Sequence, residues 1–535
     1  MPNQRAGRRS NPQDKEGWFL GIDLGTGSCK CVVVDSQAHI LGFGTGDYAS
    51  STTQQKWNEQ DPDSLLAGMV RSVHSAIEQS GVKATGCAGL SIGGAMHSLI
   101  ALDHSGNPLT GVITWADGRG APQAQAVRQS TQAAELYDQT GCPAHGMYPL
   151  YKILWLRQEH PALFEQVARF ITAKEFVFQK LTGQEVVDYS LASGSGLLNT
   201  HTLKWNPLSL EVAGIRPDHL AQPSGPITTF RGLEPFLAKA MGISSQTPVV
   251  LGSSDAANSN FGAGAVNPWQ ATCMIGTSGA FRIVTGQPTL DKQGRLWCYA
   301  IDETHWLVGG AINNGGITLS WLKDALNQTV SQTSNKTEIS FDDLISLAGQ
   351  VETGANGLIC LPFFAGERSP NWNLNARAVF FGLTLQHDIR HIARSLLEGV
   401  AFRLRSLNEI LSELVGDIDE VRASGGFTHS ELWPQIIAST LDRNLLAPAW
   451  GETSCLGAAF WAMLGVGGIP SFESAGDLIT IALQYSPIAK EAAVYDQLYP
   501  IYAGLYESLK PAFDQIAQVQ RDLALSTAEQ NPRAR

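Results

Sequence analysis

A single pattern occurs twice in this chain. Residues 18–34, WFLGIDLGTGSCKCVVV, run from an apolar strand through a Gly-Thr-Gly-Ser turn into a second, β-branched strand. About 250 residues later ATCMIGTSGAFRIVTG, residues 271–286, gives strand, Gly-Thr-Ser-Gly turn and strand again. We read this as an internal duplication, which predicts an α/β protein of two related domains. A chain of 535 residues is also too long for a single hydrophobic core. The repeat sets a boundary near AVNPWQ, giving a tail over 1–16, one domain over 17–265, a second over 266–490, and a terminal helix with a frayed end over 491–535.

Local patterns fill in this frame. The first repeat continues through HILGFGTG as an antiparallel meander, followed by a helix over 62–80 and a buried strand, CAGLSIGG. HSLIALDHSGNPLTGVITW reads as a hairpin. ALFEQVARFI and KEFVFQKL carry helical spacing, and PVVLGSSDAANSN runs from a strand into a small-residue helix. Leu396, Leu397, Val400, Leu404, Leu407 and Leu411 mark the clearest amphipathic helix, over 391–415.

The formal charge of -12 shows no basic face for nucleic acid, which leaves small molecules as the expected partners. No apolar run approaches the roughly 20 residues that span a bilayer. The eight cysteines are scattered, with no CxxC pair or zinc spacing, and the polar start lacks the apolar segment of a signal peptide. A reduced, cytoplasmic setting is expected; a homodimer is allowed but not fixed by the sequence.

The first turn is not a P-loop, because a strand and not a helix follows it. Its Gly25, Thr26, Gly27 and Ser28 suit either an ordinary hairpin or an anion-binding concavity of N–H and hydroxyl donors. Asp23 sits inside the apolar strand, where a carboxylate is costly unless paired or metal-bound. A Mg²⁺ shared with ATP phosphates would satisfy it; an ion pair with Lys30 is the structural alternative. Gly276, Thr277 and Ser278 offer a second phosphate-binding turn. Asp255, at a strand-to-helix junction, suits either an N-cap or a general base. Gly425 and Gly426 in RASGGF would let backbone pass close to a flat ring, or form a plain turn. His97 is either a structural histidine or a partner for a polyol hydroxyl. Trp115, Asp117 and Arg119 alternate along TWADGRG, so Asp117 either pairs with Arg119 or accepts from substrate hydroxyls beside Trp115.

These segments together resemble the FGGY carbohydrate kinases, over about residues 18–515. The resemblance rests on GIDLGTGSCK, TWADGR, SSDAANSN, IGTSGAF, LPFFAGERSP and ASGGF. It implies the actin/hexokinase-like ATPase fold of duplicated ribonuclease H-like domains, with the active site in the interdomain cleft. AMHSLIALD, VITWADGRG, KEFVFQKLTGQEVVDYSLAS, AINNGGI and TSCLGAAF point within the family to the gluconate-phosphorylating members. The implied reaction is MgATP-dependent phosphorylation of the 6-hydroxyl of D-gluconate. Asp255 falls on the family's base and Asp23 on its metal position, while Thr26, Ser28, Thr277 and Ser278 fall on the phosphate hairpins. Gly316, Gly425 and Gly426 fall on nucleotide-contacting turns, and Met96, His97, Trp115, Asp117 and Met147 on the sugar pocket. Gly27 departs from the usual Thr or Ser, which removes one phosphate donor, and Ala256 from the usual Gly or Asn.

Sugar choice rests on a few polar contacts. For the gluconate carboxylate the sequence offers Lys152, Lys174 and Arg119 as candidates. The rival readings are a xylulokinase or other pentulose or polyol kinase, a catalytically silent sugar sensor on the same fold, and an actin- or chaperone-like ATPase.

Overall fold

The computed structural model describes residues 17–52, 57–331 and 338–530. The expected tail over 1–16 and the last five residues of the expected frayed end lie outside them.

Strands β1 (Trp18–Leu24), β2 (Ser28–Val34) and β3 (Ile40–Asp47) form the antiparallel meander, β1 pairing with β2 and β2 with β3. Strand β4 (Cys87–Gly94) lies parallel to β1, and the short β5 (Thr229–Phe230) and β6 (Val249–Val250) complete a sheet ordered β5-β6-β4-β1-β2-β3. The second sheet contains β7 (Gln270–Ile275), β8 (Gly279–Thr285), β9 (Trp297–Ala300), β10 (Trp306–Ile312), β11 (Glu420–Ser424), β12 (Asn444–Pro448) and β13 (Ile481–Tyr485). Its order is β9-β10-β8-β7-β11-β12-β13. Apart from the extra β9, each strand has a counterpart in the first sheet: β7 is antiparallel to β8 and parallel to β11, as β1 is to β2 and β4. The duplication read from two turns thus extends through whole sheets.

Helix packing follows local signals. In α1 (Pro62–Ser80), Asp61 caps the first turn by accepting from the Ser64 N–H, Pro62 sets the initial φ, and left-handed Gly81 ends the helix. Its Leu65, Met69, Val73 and Ala76 are buried among residues of the first sheet. Helices α2 (Pro149–Glu159) and α3 (Ala173–Thr182) follow. Helix within ALFEQVARFI is confined to the short Pro161–Phe164 element, which begins one residue before it; Arg169–Ile171 forms a strand against Ile100–Leu102, a long-range pairing that overrides the local spacing. Helix α4 (Asp255–Gly262) carries the candidate base. Helix α5 (Ile317–Ser331) starts beside the second hairpin, and α6 (Ile389–Val415) buries its six predicted apolar positions in the second core. Helices α7 (Leu432–Leu441), α8 (Thr453–Gly465) and α9 (Ala489–Gln530) complete the chain. Helix α9 runs to Gln530, into the end expected to fray.

Although encoded in the second half, α8 packs on the first sheet and crosses α4. The crossing is backbone to backbone. A Cβ on Gly262 would fall on the Thr453 carbonyl, and one on Gly457 on the Asn258 carbonyl. Around it, the Trp461 Nε1–H donates to Asn258 Oδ1 at 2.9 Å, and Phe261 stacks on Phe472 with centroids 4.4 Å apart.

Candidate active site

The first hairpin closes where the Gly25 N–H donates to the Ser28 carbonyl at 3.1 Å. The Tyr48 hydroxyl and the Gln60 amide brace it by donating to the Gly25 and Thr26 carbonyls. The second hairpin has the same closure, from the Gly276 N–H to the Ser278 carbonyl at 2.9 Å. Two further glycines cover it: Gly315 N–H donates to Thr277 O at 3.1 Å and Gly316 N–H to Gly276 O at 2.7 Å, immediately before α5. Gly425 has φ +100°, and a Cβ there would collide with the Ile275 carbonyl, so this turn requires glycine. Gly276, Thr277, Gly316 and Gly426 border a cleft of about 540 Å³ whose apolar side includes Phe341, Phe427 and Trp433. That size and lining suit a planar base and its ribose.

A pocket of about 160 Å³ brings together Met96, His97, Trp115, Met147, Asp255 and Ser278. Thr26 joins the first hairpin to this pocket, because its Oγ1 accepts from Trp115 Nε1–H at 2.9 Å. The N-cap of α4 is Ser254, whose side chain accepts from the Ala257 N–H, so Asp255 is not needed as the cap. Its Oδ1 accepts the Ala256 N–H at 2.8 Å. Burial raises the Asp255 pKa from the ordinary 3.8; the Arg282 guanidinium and backbone N–H groups oppose that rise.

Asp23 has its Oδ1 shut away from solvent without a hydrogen-bond partner. Its pKa rises to about 7, first through burial and then through the charge of Asp255. Lys30 lies directly across the β1–β2 ladder, but its ammonium goes to Glu452 at 2.7 Å. The alternative of an Asp23–Lys30 pair is therefore not realised. An orphaned hard oxygen near a second carboxylate fits a divalent cation of the Mg²⁺ type, which takes one or two protein carboxylates and completes its shell with phosphates and water. Among the described residues no cluster of three or more metal-ligating side chains exists.

His97 is held at φ +65°, a conformation rare for a residue with a side chain. Its Nδ1 lies 2.6 Å from the Gly194 carbonyl, and Tyr148 packs edge-on against the ring. A carbonyl partner requires the proton on Nδ1, and burial lowers the pKa to about 3, so the ring is neutral with Nε2 as acceptor.

Asp117 is not brought into the pocket. It is buried, with Oδ1 on Arg119 Nε at 2.8 Å and Oδ2 on Arg119 Nη2 at 2.9 Å and on the Asn58 N–H at 2.6 Å. The three expected carboxylate partners are also committed elsewhere. Lys152 donates to the His97 and Thr114 carbonyls at 2.6 and 2.7 Å, tying two pocket segments together. Lys174 pairs with Asp188 at 2.8 Å, and Arg119 with Asp117 and Glu59. Two charged pocket residues were not anticipated: Arg282, inside β8, and Arg368, from GERSP. The only sequence signal for Arg282 is a guanidinium in an otherwise uncharged strand.

Two sheets of duplicated topology, each with a Gly-Thr/Ser hairpin reaching a shared pocket, define the actin/hexokinase-like ATPase fold. Residues 18–262 match the N-terminal domain of the FGGY family of carbohydrate kinases, and residues 271–466 its C-terminal domain. The chain belongs to this family, and with it to the ATP-dependent phosphotransferases acting on a sugar alcohol group. It is 38% identical to a gluconokinase of Bacillus licheniformis over 95% of this chain and 99% of the relative. The gluconate kinase from Lactobacillus acidophilus superposes with TM-score 0.87 at 30% identity, covering 94% of this chain and 99% of that one. A ligand-bound xylulose kinase from the same organism gives TM-score 0.87 at 30% identity over 94% and 100%. No helix among the described residues is long and apolar enough to cross a membrane.

Proposed function

We propose that this kinase transfers the γ-phosphoryl group of MgATP to the 6-hydroxyl of D-gluconate, giving 6-phospho-D-gluconate. The observation that carries the reading is the pocket shared by Asp255, the neutral His97 and Ser278 of the second hairpin. The near full-length identity with a gluconokinase supports gluconate as acceptor.

Phosphoryl transfer asks mainly for alignment and charge stabilisation. The Gly27 N–H and the hydroxyls of Thr26, Ser28, Thr277 and Ser278 bind phosphate oxygens, on hairpins that the Gly25 and Gly276 N–H groups hold closed. Gly316, Gly425 and Gly426 admit the nucleotide close to the backbone. Asp23 would hold Mg²⁺, which when bound neutralises charge on the phosphates. Asp255 takes the proton from the attacking hydroxyl. His97 Nε2 accepts from an acceptor hydroxyl, while Met96, Trp115 and Met147 wall the pocket and exclude water that would otherwise take the phosphoryl group. The unpaired cysteines among the described residues support a reducing, cytoplasmic setting.

The test is ADP release by the full chain with MgATP against D-gluconate, D-xylulose, glycerol and D-glucose, with Asp255→Asn as control. A response to gluconate that the substitution lowers by about 10²-fold or more supports the reading. A response to D-xylulose alone, which the equal superposition with a xylulose kinase makes the principal rival, overturns the substrate assignment. Silence with every acceptor while ATP still binds overturns the enzymatic one.

A further inference from the structure

Among the described residues six arginines are buried, and four have a carboxylate partner: Arg119 with Asp117, Arg394 with Glu398, Arg403 with Glu367, and Arg422 with Glu420. Arg282 and Arg368 form no ion pair, and these are the two that line the pocket containing Asp255. Burying a guanidinium without a counter-charge is costly, so a site that keeps two is built for an anion that arrives from outside.

Their hydrogen bonds give the same picture. A guanidinium carries five donors. Arg368 uses one, Nη2 to the Ile312 carbonyl at 3.2 Å, and its Nε is buried without a partner. Arg282 makes one long bond, Nη1 to the Ala256 carbonyl at 3.3 Å. The neighbouring Glu367 does not neutralise Arg368: its Oε2 accepts from Arg403 Nε, and its Oε1 takes the backbone N–H groups of Asn313 and Arg368. The Arg368 guanidinium lies 5.3 Å from the Trp115 ring centroid, and Trp115 is itself anchored to Thr26. This contact holds the guanidinium against the ring without using any of its N–H donors.

We propose that Arg368, with Arg282 beside it, recognises the carboxylate of a sugar-acid acceptor in this pocket. The inference rests on the gluconate reading and names the residues that would hold the acid group. With the reacting hydroxyl at Asp255, the carboxylate at the other end of the acceptor meets a planar fork of matching geometry. A neutral ketose brings no counter-charge: Arg282 is then faced by Asp255 and Arg368 by Glu367, which already accepts from Arg403. Arg282, in contact with the Ala256 carbonyl next to the base, contributes charge; Arg368 contributes the free donors.

The experiment compares D-gluconate with its neutral amide, D-gluconamide, in the wild type, Arg368→Met and Arg368→Lys. Kd is read by calorimetry and KM by ADP release. The wild type should prefer the carboxylate by roughly 10- to 100-fold. Arg368→Met should lose that preference, binding gluconate no better than the amide, and Arg368→Lys should recover part of it. Thermal stabilisation by MgATP establishes that each variant is folded. A wild type that neither binds nor phosphorylates gluconate refutes the gluconate reading itself. A wild type that uses gluconate but shows no preference over the amide refutes this inference alone, whether or not the variants fold. So does a folded Arg368→Met variant that keeps the preference. Equal loss of kcat with both acceptors would also overturn it, assigning Arg368 to the transferring phosphoryl group.

Discussion

Replacing Asp23 by Asn should abolish phosphoryl transfer and at the same time stabilise the metal-free protein at alkaline pH. The carboxyl group ordinarily titrates at 3.8; here it is raised to about 7 by burial and by Asp255. Between those values the folded state holds a proton that the unfolded chain has lost, so this group's effect on stability is absent below 3.8 and becomes increasingly unfavourable as pH rises through 7. At about 1.4 kcal/mol per pH unit the destabilisation above pH 7 has a ceiling of about 4 kcal/mol, which structural relaxation and water entry reduce. An asparagine carries no such charge. The assay is denaturant unfolding of wild type and Asp23→Asn in EDTA at pH 5 and pH 8.5. The variant should gain on the order of 1–3 kcal/mol between the two pH values relative to wild type, and Mg²⁺ with ATP should narrow the gap by stabilising the wild type more than the variant. A variant with the same pH dependence as wild type, or one less stable at pH 8.5, refutes the argument that Asp23 is an uncompensated charge awaiting a cation.

Other substitutions test the remaining parts of the site. Asp117→Ala removes the carboxylate of a buried pair and should cost about 3–5 kcal/mol in unfolding free energy; a stable variant with a raised KM for the acceptor would instead return Asp117 to the sugar pocket. Arg282→Met removes the charge that holds down the Asp255 pKa, so the acid limb of the kcat/KM–pH profile should move to higher pH; an unmoved limb would dissociate Arg282 from the base. Gly425→Ala places a methyl group against the Ile275 carbonyl in a backbone conformation unfavourable to alanine. It should weaken ATP binding, measured by calorimetry, by about tenfold or more, and unchanged affinity would remove this turn from the nucleotide site.

What the sequence revealed and what it concealed divide along the range of the interactions. The hairpins were legible because Gly-Thr/Ser turns between strands are local, and their repetition implied the sheets around them. The leucine spacing of α6 was equally local. The helix expected through ALFEQVARFI failed where Arg169–Ile171 found a strand partner about 70 residues earlier. Asp117 was ambiguous because the partner that helps fix its orientation, the Asn58 N–H, lies 59 residues away in sequence. Asp255 could not be separated from a capping role until Ser254 was seen to fill it. Arg282 was hidden by its strand: β8 is buried along its full length, so no alternation of polar and apolar residues marks the face that meets the pocket.

The α4–α8 crossing also bears on how the gene can be divided. The repeats suggest two modules separable near residue 265, yet the helix carrying Asp255 rests, main chain on main chain, against a helix encoded some 200 residues later. A fragment ending near 265 would keep the base and the first hairpin but expose Phe261, which Phe460, Trp461 and Phe472 otherwise cover. The ancestral halves have thus become obligate partners, and a split version of this enzyme would need α8 supplied with its N-terminal piece.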